Sequence, residues 1–308
     1  MRGCGKTVLL RSLMFHARAA EIQSEREDLL VDKLQQDGYV GLYVSCNRLL
    51  DPLGSTGQLH QPDARLFVAY VREALRAVRH LRKLDRSLPV PGAVRRIGEV
   101  LHDYVGAVDQ PDTDDELVLE RLTLRILASL HRRDEGHGLL TDPSAAFVAL
   151  ADAVKAVSSV WAGATVFYLL DDVSTRHLEE DSIRALVSRL IFLSDVCAFK
   201  MTTEQQTLEY VLKSPGLVEK ARPGPDYEVF EFGSAVYERI REPVRKGVGT
   251  NFIRDVLALR AAQYPAHPDN VTPADLLGNE RLETIAQQLA VLPPAAAERS
   301  ASIGDCVL

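Results

Sequence analysis

Gly3-Cys4-Gly5-Lys6-Thr7 runs straight into a helical stripe. Leu9, Leu10, Leu13, Met14, Ala17 and Ala20 recur at three- and four-residue steps as far as about Gln23. A glycine-rich turn ending in Lys-Thr and opening a helix is the tail of a Gly-x4-Gly-Lys-Ser/Thr loop. Such a loop needs a strand before it and a helix after it. The glycines let backbone N–H groups wrap phosphate oxygens, and the helix N-terminus adds a favourable dipole. Lys6 reaches the β- and γ-phosphates and the Thr7 hydroxyl ligates magnesium. Gly3, Cys4, Gly5, Lys6 and Thr7 are therefore the candidate nucleotide-binding residues, with ATP and Mg2+ as the expected occupants. A glycine-rich turn in front of an ordinary helix is the competing reading.

A second motif supplies the acid such a loop requires. Thr165 to Leu170 reads as an apolar strand and ends in Asp171-Asp172. A carboxylate at the C-terminal edge of a parallel strand is where a nucleotide's metal is met. Asp171 is the candidate Mg2+ ligand beside Thr7. Asp172 stands where a glutamate commonly polarises the attacking water and is one methylene shorter, so slow hydrolysis is expected. A pair of helix N-caps leading into the segment from Ser174 to Glu180 is the alternative.

Other apolar runs complete an α/β pattern. Tyr39 to Cys46, Val196 to Met201 and Tyr227 to Phe232 fit buried strands. Ala64 to Leu84, Ala93 to Val105, Glu116 to Arg132, Ala145 to Val160 and Ser182 to Leu193 fit helices. Strands separated by helices imply βαβ crossovers, a parallel sheet and helices on both faces. The expected fold class is thus α/β, a three-layer αβα sheet of the P-loop NTPase type with a C-terminal helical lid. The domains expected are a core at 1–232 with a helical insertion at about 50–160, a lid at 233–292, and a flexible tail at 293–308. The helices of the lid are read near 234–241, 251–262, 273–277 and 281–291.

Composition narrows the class. Lys plus Arg number 36 against 43 Asp plus Glu, a net charge of −7, so no global positive field draws the molecule to nucleic acid or anionic lipid. Arg72, Arg76, Arg79 and Lys83 do share one helical face, with His80 and Arg82 in the same stretch. That face is either a local DNA-binding patch or a solvated helix surface. The four cysteines lie far apart with no Cys-x-x-Cys spacing, which gives neither a zinc knuckle nor a disulfide framework. No apolar run approaches the roughly 20 residues that span a bilayer, and none makes a signal-peptide core. A cytoplasmic protein with no membrane contact is expected.

At this point the chain resembles a family. Arg2-Gly3-Cys4-Gly5-Lys6-Thr7, the Leu169-Leu170-Asp171-Asp172 strand end, and Phe199-Lys200-Met201-Thr202-Thr203-Glu204 look like an AAA+ ATPase, nearest to the origin-recognition-complex-like branch found in bacteria. The resemblance implies that Thr202 or Thr203, of which Thr203 is the residue chosen, senses the γ-phosphate. It implies that Arg222 is an arginine finger entering a neighbouring subunit, and that Arg281, in Gly278-Asn279-Glu280-Arg281, is the lid's sensor, with Arg254 as competitor. Helix caps and solvated arginines are the plainer readings of the same residues. The partners implied are a second copy or another protein, and DNA through the resemblance only.

In that family the loop's first glycine would fall one position before Met1, and the central strand feeding the loop would precede it. We therefore expect the chain to be an N-terminally clipped version of a longer protein, with the central first strand missing. The function expected is an ATP-binding and ATP-hydrolysing AAA+ molecular switch. The alternative is a nucleotide-gated signalling module of the STAND type with little turnover.

Overall fold

The computed structural model describes residues 6–25, 30–46, 61–105, 113–132, 139–174, 183–184, 186–187, 190, 196–204, 207–208 and 227–230. The calls on Gly3, Cys4, Gly5, Arg222, Arg254 and Arg281, on the lid at 233–292 and on the tail at 293–308 lie outside the described residues. Except for Phe230, the described residues belong to one compact unit, Gly5–Val229.

Among the described residues three strands form a parallel sheet in the order β1-β2-β3, with β1 Tyr39–Ser45, β2 Thr165–Val173 and β3 Cys197–Thr203. Among the described residues they are accompanied by the helices α1 Lys6–Ser12, α2 Phe15–Glu25, α3 Leu30–Asp37, α4 Pro62–Leu84, α5 Ala93–Tyr104, α6 Glu116–Arg132 and α7 Pro143–Lys155. The described positions of 182–193 are also helical, with Ile183, Leu186 and Leu190 buried at helical spacing. The α/β reading with a parallel sheet therefore holds among the described residues.

Alternation along β2 assigns the two faces of the sheet. Tyr168 faces α4 and α7: its hydroxyl donates to the Phe147 carbonyl over 2.6 Å, and its ring lies 4.8 Å from that of Tyr70. Phe147 and Phe199 close this aromatic cluster, with ring centroids 5.0 Å apart. Each such edge-to-face pair is worth about 0.5–1.5 kcal/mol beyond the area it buries. The opposite face receives α1 and the turn that follows it. Covered on both sides, β2 is nearly continuous in apolarity because most of its side chains on both faces are buried.

The stripe read as one helix from Lys6 to about Gln23 is broken at Leu13-Met14. The Ser12 hydroxyl donates back to the Leu9 carbonyl over 2.7 Å, a bond that bends helices. The tertiary cause is Gly41, in the middle of β1. A Cβ there would lie 1.9 Å from the Leu13 carbonyl oxygen, so the turn can sit on the sheet only because residue 41 has no side chain.

Helix α3 falls where no helix was read. Its Leu30 and Leu34 are buried one turn apart, and it ends on Gly38, whose φ of +68° forms a left-handed C-terminal stop. The strand read over Tyr227 to Phe232 is not seen in its described part: Tyr227 is a single bridge residue, and Glu228, Val229 and Phe230 are exposed outside any strand.

Candidate functional site

Strand β2 extends past its apolar run to include both acids, and a bulge lies between them and β3. Leu170 pairs with Met201 and Val173 with Thr203, so Asp171 and Asp172 together oppose Thr202 alone. Two residues against one is the definition of a β-bulge, which bends the strand and re-aims its side chains. Asp172 takes φ +60°, a left-handed conformation that Asp tolerates better than most L residues.

Thr202 and Thr203 lace the bulge. The Asp172 amide donates to Thr202 Oγ1 over 3.0 Å, and Thr202 Oγ1 in turn donates to Asp171 Oδ1. Thr203 Oγ1 donates to the Val173 carbonyl over 2.6 Å. The hydroxyl that meets Asp171 is thus that of Thr202, while the Thr203 hydroxyl closes the bulge backbone.

Helix α1 brings the other half of the site. Thr7 Oγ1 donates to Asp171 Oδ1 over 3.3 Å, and Lys6 Nζ donates to the Thr203 carbonyl over 2.6 Å. Lys6, Thr7, Asp171, Thr202 and Thr203 therefore meet at the C-terminal ends of β2 and β3, although they come from three distant parts of the chain. Asp172 sits beside them, half-buried.

Asp171 is only 3% exposed, and burying a carboxylate is expensive unless it is hydrogen-bonded. Three hydroxyls satisfy it: Thr7 and Thr202 on Oδ1, and Tyr43 on Oδ2 over 2.7 Å. Tyr43 itself accepts from Arg11 Nε over 3.2 Å. Burial raises the Tyr43 phenol pKa, and the hydrogen bond from Arg11 works against that rise. Cys46, directly after β1, is fully buried; burial first, and the two acids second, push its thiol far above its ordinary range and leave it an inert packing group.

Donor chemistry decides whether magnesium fits. Mg2+ takes oxygen ligands and is commonly held by one or two carboxylates, a hydroxyl, phosphate oxygens and waters. A buried Asp171 carboxylate with the Thr7 hydroxyl 3.3 Å away meets that description. Among the described residues no group of three or more His, Cys, Asp or Glu could hold a metal ion by itself.

The basic stripe on α4 has a different fate. Glu120 of α6 receives Arg76 Nε at 2.9 Å, Arg79 Nη1 at 3.0 Å and Arg72 Nε at 3.3 Å. Arg82 pairs with Glu116 at 2.7 Å and Arg76 also with Glu73 at 2.5 Å. Burial would raise the Glu120 pKa, but the hydrogen bond from Arg76, then Arg79 and Arg72, hold it below the usual glutamate range. These partly exposed arginines join α4 to α6.

Sequence reasoning missed Tyr43 and Arg11 as members of the site. Tyr43 read as an ordinary residue of the strand Tyr39 to Cys46, and Arg11 lay between the apolar positions of the first helix. The signal is the register: Tyr43 pairs with Leu169, two residues before Asp171 on the adjacent parallel strand, so Tyr43 and Asp171 lie on one face.

A family model described as ORC-CDC6-like matches residues 1–87 of the chain. Those residues carry the ORC-CDC6-like family signature and include Lys6, Thr7, Arg11 and Tyr43. Asp171, Thr202 and Thr203 lie beyond the match. No curated protein and no solved structure gives a significant match. Among the described residues no helix is long and apolar enough to cross a membrane.

Proposed function

We propose that this chain, ORC-CDC6-like over residues 1–87, binds ATP with Mg2+ and hydrolyses it as an AAA+ type molecular switch acting on a protein or DNA partner. The observation that carries the reading is the meeting of Lys6 and Thr7 with Asp171 at the edge of a parallel sheet. An ammonium, a hydroxyl and a carboxylate gathered there are what a triphosphate and its metal need, and phosphoryl transfer asks for little more than positioning and charge neutralisation.

In this reading Gly3, Cys4 and Gly5 wrap the phosphates and Lys6 neutralises the β- and γ-oxygens. Thr7 and Asp171 hold Mg2+, which when bound draws charge from the phosphate oxygens. Asp172 orients the attacking water and Thr202, with Thr203 behind it, reads the γ-phosphate. Arg222 and Arg281 are the proposed finger and lid sensor, within a core at 1–232 and a lid at 233–292. A neighbouring copy or other protein, and a cytoplasmic location, belong to the same proposal. The ion pairs of the α4 arginines with Glu73, Glu116 and Glu120 favour a structural role for that helix face over contact with DNA.

Release of inorganic phosphate from ATP tests the enzyme reading. Lys6→Ala and Asp171→Ala are each expected to abolish it, and turnover unchanged in both variants contradicts the reading. One observation favours the second reading, a nucleotide-gated STAND-like module with little turnover. Asp172 has a short side chain held on a left-handed backbone, an arrangement suited to binding more than to rapid water activation. Tight Mg2+-dependent nucleotide binding without phosphate release selects it.

A further inference from the structure

The acid that would hold the metal is gripped on both of its oxygens, and the second grip comes from residues outside the motif. Thr7 and Thr202 both donate to Oδ1. One anchored oxygen leaves the carboxylate plane free to turn, because the last torsion of an aspartate is broad and two-fold. Tyr43 removes that freedom by donating to Oδ2 over 2.7 Å.

Register explains why a tyrosine does this. Tyr43 pairs with Leu169 and Ser45 with Asp171, so Tyr43 is the same-face diagonal neighbour of the acid, about 7–8 Å away between backbones. A phenol is long enough to span that diagonal and ends in a donor. A phenylalanine would fill the same space and donate nothing.

Arg11 holds the tyrosine in turn. Its Nε donates to the phenol oxygen over 3.2 Å, and its guanidinium carbon lies 5.2 Å from the centroid of the Tyr43 ring. A donor on the phenol oxygen polarises the O–H toward stronger donation. Arg11 is also one helical turn beyond Thr7, on the same side of α1. Thr7, Asp171, Tyr43 and Arg11 therefore close a ring: one turn of α1 at one end, the ends of β1 and β2 at the other, and three side-chain hydrogen bonds between.

We propose that Tyr43, braced by Arg11, is a positioning residue for magnesium: it fixes the plane of the Asp171 carboxylate so that Oδ1 stays turned to Thr7. The inference rests on the reading of Lys6, Thr7 and Asp171 as a Mg2+–nucleotide site. It assigns to the Arg11–Tyr43 pair the strength of metal binding, separately from the grip on phosphate, which belongs to Lys6.

The test is a magnesium titration of fluorescent ATP-analogue binding to the full chain, for wild type, Tyr43→Phe, Arg11→Met and the double variant. Losing one hydrogen bond to a charged group should raise the Mg2+ concentration for half-maximal binding about tenfold in Tyr43→Phe. Analogue affinity without Mg2+ should change by less than about twofold, a split that general loosening of the fold does not produce. Arg11→Met should show a smaller shift and add little in the double variant, because both act through one ring. A wild type with Mg2+-dependent binding and a Tyr43→Phe with the same magnesium requirement overturns this inference alone. A wild type with no Mg2+-dependent binding overturns the nucleotide reading, and this inference falls with it.

Discussion

Thr7 and Asp171 are separated by 164 positions in the chain, yet the hydroxyl of one donates to the carboxylate of the other over 3.3 Å. The contact exists because α1 lies on the face of the sheet where the odd-numbered residues of β2 point. It also joins a residue inside the ORC-CDC6-like match to one well beyond it.

Gly41→Ala should be among the most damaging single substitutions in the chain. The new Cβ would stand 1.9 Å from the Leu13 carbonyl oxygen and 2.8 Å from its carbon, both backbone atoms that cannot move aside cheaply. We expect a loss of about 3 kcal/mol or more, or failure to fold, read from the denaturant midpoint. A stability within about 0.5 kcal/mol of wild type would show that α1 does not seat on β1 in this way.

Glu120→Gln should destabilise the protein by about 1–2 kcal/mol, because three arginines lose their shared partner while each remains partly hydrated. Arg76→Glu should lower the melting temperature by a similar route without a specific effect on DNA. Unchanged melting together with lost DNA affinity would instead identify α4 as a nucleic-acid surface.

His16 should make stability sensitive to mild acid. Burial, followed by the neighbouring His80 and the positive charges of Arg76 and Arg79, lowers its pKa from 6.5 to about 4. The rings of His16 and His80 lie 4.9 Å apart, and His80 is itself lowered by burial and by Lys83. Because the folded pKa lies below the unfolded one, the unfolded chain binds more protons between the two. Stability is therefore flat with respect to this group above pH 6.5 and is lost as pH falls toward 4. His16→Gln should give a flatter midpoint-against-pH curve across that window, and parallel curves would contradict the assignment.

Asp172 offers a trade between reach and backbone strain. Asp172→Glu supplies the missing methylene but places a longer residue at φ +60°, at a cost of about 1 kcal/mol. Faster phosphate release with lower stability is expected from it. Asp172→Gly should relieve the strain and depress turnover. Equal turnover in both variants and wild type would remove Asp172 from the chemistry.

How much of this was legible depended on whether a feature is local. The end of β2 was readable because an apolar run followed by two acids needs no partner to identify it. The bulge was not, since it depends on Thr202 from another strand. The break at Leu13 was hidden because its cause, Gly41, lies across a tertiary contact. The arginine stripe of α4 was visible from spacing alone, but its meaning lay on α6, where Glu116 and Glu120 stand one turn apart to meet it. Tyr43 escaped notice because an aromatic residue in a buried strand looks like packing until its register against Asp171 is known.

The most direct measurement is calorimetric titration of ATP into the full chain with and without Mg2+, for wild type, Lys6→Ala and Asp171→Asn. The account predicts Mg2+-enhanced binding to wild type, at least about tenfold weaker binding to Lys6→Ala in both conditions, and loss of the Mg2+ enhancement alone in Asp171→Asn. Equal binding by all three proteins, or none by wild type, would contradict it.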